Sequence, residues 1–130
     1  MATSANTVTT LKAREKFAKA HGDGEAVPKI TQVGWGTGGH NPSTGQPIFP
    51  DSNAQIVPGE FIRKAIAQRS YPNSVTVRIL GILESAEGLG QNVSACGLYD
   101  QGGHLVALKT FTPKGVDEDT RLEIEWDEEF

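Results

Sequence analysis

The stretch Asn92-Val93-Ser94-Ala95-Cys96-Gly97-Leu98-Tyr99-Asp100-Gln101-Gly102-Gly103-His104-Leu105-Val106-Ala107 reads as two strands around a turn. Asp100-Gln101-Gly102-Gly103 is the turn, because two adjacent glycines take positive φ without a Cβ clash. The first strand spans Asn92 to Tyr99. The return strand runs from His104 to about Phe111, and Thr112-Pro113-Lys114-Gly115 ends it. Downstream, Arg121-Leu122-Glu123-Ile124-Glu125-Trp126 alternates, which places Leu122, Ile124 and Trp126 on one buried face. Upstream, Val75 to Leu83 is β-branched and alternates at its start, and its continuous apolar end around Gly81 predicts burial on both faces.

The N-terminal half is less regular. Residues 1–8 read as a flexible arm. Thr9 or Thr10 caps a helix running to about His21, with Leu11, Phe17 and Ala18 on its inner side and Gly22 as the residue that ends it. Pro28 to Gly36 reads as a strand. Thr37 to Pro58 is dense in Gly, Pro, Asn and Ser, a long loop whose middle Ile48 and Phe49 are expected to pin to the body. Glu60 to Arg69 fits both a helical stripe (Phe61, Ile62, Ala65, Ile66) and an alternating edge strand. Tyr71-Pro72-Asn73-Ser74 signals a turn. The order predicts an α+β domain: one N-terminal helix, then a mainly antiparallel β-sheet or sandwich with a long Gly/Pro-rich loop. Residues 9–130 form it as a single domain.

Composition narrows the class. The chain has 130 residues, 15 of them glycine and 7 proline, which excludes a long coiled coil. Its net charge is −4, yet residues 117–130 alone carry −7, leaving +3 on the other 116. That acidic end reads as a solvated strand and tail, or as a docking site for a basic partner. No basic stripe with interleaved aromatics is present, so nucleic acid is not an expected partner. No run of apolar residues reaches the length of a membrane span, and no signal peptide is visible. The sole cysteine, Cys96, falls in a strand and reads as a buried inert thiol.

Chemistry-bearing patterns are sparse. Gly34-Trp35-Gly36-Thr37-Gly38-Gly39 looks superficially like a phosphate-cradling loop, but turn chemistry rather than a helix follows it. His21, His40 and His104 share no ligand spacing, so no metal or other cofactor is expected. Only a metal on an oligomer axis, with His40 as its ligand, would escape that argument. No nucleophile elbow occurs, and the tail carboxylates face water. The chain reads as non-enzymatic.

Four segments resemble the N-terminal domain of phage tail-collar fibre proteins, which holds a tail fibre on the baseplate. Thr10, Lys16, Ala18 and Ala20 follow that family's opening T-x-x-G-x-x-K-x-A-x-A helix. Ile30-Thr31-Gln32-Val33-Gly34-Trp35-Gly36-Thr37-Gly38-Gly39 is similar to its I-T-h-h-A-V-G-D-G-N-G. Glu60-Phe61-Ile62-Arg63 resembles E-V-Y-R, and Asn92 to Ala107 resembles F-x-I-R-E-I-G-L-F-D-x-D-G-N-L-I-A-V. Ser94-Ala95-Cys96 departs from the family's charged pair, and Gly36-Thr37-Gly38 lacks its Asp. The family's members continue into a shaft and tip, whereas this sequence stops at Phe130.

The resemblance favours a strand for Phe61–Arg69. It implies a structural component of a phage tail or baseplate, an adaptor or short fibre piece that links tail fibres to the baseplate as a homotrimer. Its place would be the virion, after assembly in the host cytoplasm, and its partners baseplate proteins and a tail fibre protein. The arms gripping the baseplate would be Thr3–Thr10 and the loop His40–Pro58. Expected partner-binding residues are Trp35, His40, Ile48, Phe49, Glu123, Glu125 and Trp126, because buried aromatics dominate interface energy. Two other readings stand beside it. One is a single-subunit docking domain whose acidic strand adds to a partner's sheet. The other is a small glycan- or host-surface-binding module using Trp35 and residues 34–58.

Overall fold

A computed structural model of the chain describes residues 6–130. In chain order the elements are β1 (Thr7–Thr9), α1 (Leu11–Asp23), β2 (Ile30–Gly36), β3 (Glu60–Ala65), β4 (Gln68–Asn73), β5 (Thr76–Leu83), the single-turn α2 (Ser85–Gly88), β6 (Asn92–Asp100), β7 (Leu105–Gly115) and β8 (Leu122–Glu129). They form a five-stranded sheet ordered β1-β7-β6-β2-β3 and a three-stranded sheet ordered β4-β5-β8. Every pairing is antiparallel. The mostly antiparallel architecture with one N-terminal helix agrees with the α+β expectation.

The β6–β7 hairpin is the centre of the larger sheet, and its register pairs Gly97 with Leu108, Leu98 with Ala107 and Tyr99 with Leu105. Val106 is therefore an extra residue on β7, a bulge that lets both its neighbours keep their faces. β6 is buried on both faces. Val93, Cys96 and Leu98 join Val33, Trp35, Ile79, Leu83 and Trp126 in the core shared with the smaller sheet. Ala95 and Tyr99 face the other way, against Val57, Leu105 and Leu108. Burial pushes the Cys96 thiol up to about 12, as suits an inert core residue.

The bulge receives the start of α1. The Thr10 amide donates to Val106 O at 2.9 Å, its hydroxyl donates to Leu105 O at 2.6 Å, and its Oγ1 accepts from the Ala13 amide at 3.2 Å. Thr10 thus caps the helix and ties it to β7 in one side chain. Thr10→Val keeps the shape but removes the cap and leaves a buried carbonyl with one fewer donor. It is expected to cost about 1–2 kcal/mol of unfolding free energy, measured by urea denaturation. An unchanged midpoint would mean that the cap does not hold the helix to the sheet.

Several expectations are corrected. The arm of residues 1–8 lies outside the described residues as far as residue 5, but Thr7–Thr9 pair with β7 as an edge strand. The helix does not end at Gly22. It continues to Asp23 and reverses at Gly24, whose φ is 73° and whose amide donates to Ala20 O at 3.0 Å. Its inner side is Ala13 and Phe17, whereas Leu11 and Ala18 are exposed. Phe61–Arg69 is not one strand. The chain leaves the larger sheet after Ala65, and β4 begins the smaller sheet at Gln68, so the helical and strand periodicities overlapped at a change of sheet. Tyr71 to Asn73 belongs to β4, and the turn falls at Ser74-Val75.

Candidate functional site

Two regions place polar or apolar groups where a partner or ligand could meet them. The first is the connection between β2 and β3, residues 37–59. Thr37 and Gly38 donate their amides to Gly59 O and Pro58 O at 3.2 and 3.0 Å, and the Gly39 amide donates to Ser94 Oγ at 2.9 Å. The amides a phosphate would need are therefore already engaged. The glycines are there for close approach: a Cβ at Gly36 would meet the Pro58 carbonyl and one at Gly39 the Ser94 carbonyl. His40 Nδ1 lies 2.7 Å from Ser94 Oγ, and His40 forms an isolated bridge with Pro47. His40 is thus held to β6 and is half-buried.

Further along, the Ile48 amide donates to Gly39 O at 2.8 Å and Thr110 Oγ1 donates to Ile48 O at 2.6 Å. The Leu11 amide donates to Ser52 O at 2.8 Å, and Val57 inserts into the second core. Ile48 and Phe49 were expected to pin this segment. The Ile48 backbone is pinned, but Ile48 and Phe49 are 51% and 67% exposed, and Ile56 is 56% exposed. Pro50 and Val57 turn inward in their place.

Beneath the connection, the Tyr99 hydroxyl accepts from the Val57 amide at 3.0 Å and donates to the Glu60 carboxylate. The Arg63 guanidinium lies 3.6 Å from the Tyr99 ring centroid and 2.9 Å from Glu60 Oε1. Burial, reinforced by Glu60, raises the Tyr99 phenol to about 12, so it stays a donor. Gly34 makes room: a Cβ there would come within 2.8 Å of the Tyr99 ring.

Both tryptophans are corrected. Trp35 and Trp126 are 1% and 3% exposed, so neither offers a face to a partner or a sugar. They fill the space between the sheets, where their size is needed. The Trp126 Nε1–H donates to Glu128 Oε1 at 2.9 Å. Trp35 Nε1 has no hydrogen-bond partner among the described residues.

Glu123 and Glu125 lie exposed on β8, at a sheet edge. Glu123 pairs with Arg121 at 2.9 Å, Glu125 with Arg78 at 3.2 Å, and Arg78 also grips Asp127 at 2.8 Å. Such exposed pairs contribute little to stability, but they compensate much of the acidic face. Residue 48 is held beside β7 of the larger sheet, whereas the β8 acids belong to the smaller one.

The second region was not expected from sequence. A cavity of about 240 Å³ opens between α1, the start of β2 and the inner face of the smaller sheet. Phe17, Ile30, Val77 and Ile79 give it apolar walls, and Asp100, Lys16, Arg69 and Glu128 bring charge into it. Lys16 donates to Asp100 Oδ2 at 2.5 Å and approaches His104 Nδ1 at 2.8 Å. Asp100 Oδ1 accepts from the Gly102 and His104 amides at 2.9 and 3.1 Å. Burial acts to raise the Asp100 carboxyl, but Lys16 and these amides hold it below the ordinary range.

Glu128 is the exception to an acidic tail that faces water. It is 5% exposed, and burial raises its carboxyl above the ordinary range despite the Trp126 hydrogen bond. Its folded value exceeds its unfolded one, so its contribution to stability is present at acid pH and is lost as pH rises through the folded value. Glu128→Gln keeps an acceptor for Trp126. It is expected to flatten that part of the stability–pH profile, with the largest gain over the parent near neutral pH. A profile identical to the parent's would contradict this burial.

No group of three or more His, Cys, Asp or Glu among the described residues is placed to hold a metal. No helix among them is long and apolar enough to cross a membrane. Comparison with protein-family models, curated proteins and solved structures gives no match.

Proposed function

We propose that this chain is a structural, non-enzymatic component of a phage tail or baseplate, working as a homotrimeric adaptor or short fibre piece through protein–protein interfaces. The observation that carries the reading is the exposed Ile48–Phe49 pair on a connection whose backbone is held from both sides. Exposed apolar side chains on an ordered segment are pre-organised for docking, because little ordering entropy remains to oppose binding. The resemblance of Asn92–Ala107 to the tail-collar hairpin supplies the class of partner. In this reading the connection docks on the baseplate, and the acidic β8 face turns to a following fibre protein or to water.

The test is binding of the Ile48→Asp/Phe49→Asp double variant to the baseplate and fibre proteins encoded beside the gene. The reading expects binding to the intact chain and at least a tenfold loss in the variant at unchanged thermal stability. Equal binding by both would remove the connection from the interface.

A second reading is a single-subunit module that adds a strand to a partner's sheet. The position of β8 at the edge of its sheet favours it. The row of acids on that strand opposes it unless the partner is basic. A monomeric mass in solution together with partner binding would select this reading.

A further inference from the structure

The cavity beneath α1 carries two side chains of opposite charge on either side of an apolar floor. Its floor is Val77 and Ile79 on the central strand β5 of the smaller sheet. Arg69 on β4 pairs with Ile79, and on the other flank Glu128 on β8 pairs with Val77. Both charged residues line the cavity, so they stand on one face of the sheet, on either side of an apolar floor. Two inter-strand spacings separate their strands, about 10 Å.

The two charges do not pair with each other. Arg69 donates to the Ile30 carbonyl and has no acidic partner among the described residues. Glu128 accepts from Trp126 through Oε1, and no hydrogen bond to its second oxygen is found among the described residues. Of the other charged side chains at the cavity, Lys16 is engaged by Asp100, and Lys29 stands exposed. Trp126 Nε1–H meets only one oxygen of the buried Glu128 carboxyl, and burial favours a further donor or cation on the other.

We propose that this cavity is a binding site for a dipolar ligand with an ammonium and a carboxylate at opposite ends of an apolar chain. The ammonium meets Glu128, the carboxylate meets Arg69, and the methylenes lie on Val77 and Ile79 under Phe17. A chain of about five methylenes suits the span once both side chains reach inward. This chemistry belongs equally to a free ω-amino acid and to the end of a chain terminating in lysine. The site is independent of the Ile48–Phe49 docking surface and stands or falls without it.

The experiment is calorimetric titration of the whole chain with 6-aminohexanoate, and with hexylamine and hexanoate as single-charge controls. The expected result is saturable binding of 6-aminohexanoate, at least tenfold tighter than either control. Glu128→Gln and Arg69→Met should each weaken it at least tenfold. Methyl resonances of Val77 and Ile79 should shift on titration, a readout that holds even if one variant folds poorly. Tighter binding of Nα-acetyl-lysine than of 6-aminohexanoate would support the site and point to a chain end; the reverse would support it and point to a free ω-amino acid. No saturable binding, unshifted Val77 and Ile79, or hexylamine binding as tightly as 6-aminohexanoate would overturn the proposal.

Discussion

Gly39→Ala is expected to lower unfolding free energy by about 3 kcal/mol, the upper range for forcing atoms into a packed site. The cause is local. A Cβ at Gly39 would run into the backbone carbonyl of Ser94, and the Ala95 side chain is 3.0 Å away. Neither neighbour is the tip of a flexible side chain, so the connection must move off β6 as a unit. That movement would also break the Gly39 amide–Ser94 bond and disturb His40. Gly22→Ala is the control. It sits in α1 with nothing within 4 Å of its Cβ, and alanine there should stabilise by about 0.5–1 kcal/mol. Urea unfolding of both variants would check the pair. Equal, small effects would mean that residues 37–59 do not pack on β6.

Asp100→Ala should have a comparable effect, about 3 kcal/mol, because one carboxylate holds three donors. Its Oδ1 closes the β6–β7 turn through Gly102 and His104, and its Oδ2 holds Lys16 of α1. Loss of the side chain therefore loosens the hairpin and the helix together. Asp100→Asn should cost less, since its amide oxygen still accepts from the turn. The pH dependence separates this from packing. The folded carboxyl titrates below its unfolded value of about 3.9, so its stabilisation is present above that value and lost as pH falls through the folded one. The alanine variant should lack that acid loss. A parent and variant with parallel profiles would contradict the ion pair.

The two buried carboxyls thus act in opposite senses, and sequence patterning reaches only part of this. Asp100 is legible as a turn residue from Asp-Gln-Gly-Gly. Its pairing with Lys16 joins positions 84 residues apart, which no local pattern encodes. Glu128 continues the Leu122, Ile124, Trp126 alternation by one step. That alternation signals its burial, although Glu128 also lies within a block of acids.

The hairpin, β5 and the inner face of β8 follow from periodicity because each is a strand packed on a core. The split of Glu60–Asn73 between two sheets does not, since a change of sheet leaves the residue pattern nearly continuous. The glycine run before His40 looks like a phosphate loop, but packing is what requires it. Its glycines admit the carbonyls of Pro58 and Ser94, which come from distant parts of the chain. Among the expected partner residues, Trp35 and Trp126 are core, whereas Ile48 and Phe49 remain available on the surface. Aromatic size alone does not distinguish an interface anchor from a residue that fills the gap between two sheets.

The most direct test of the proposed adaptor role is co-expression of the intact chain with the baseplate and fibre proteins encoded beside it, followed by affinity purification and mass measurement. The account predicts a complex containing three copies of the 13.9 kDa chain, lost in the Ile48→Asp/Phe49→Asp variant. Recovery of the intact chain alone, at the mass of one copy, would contradict it.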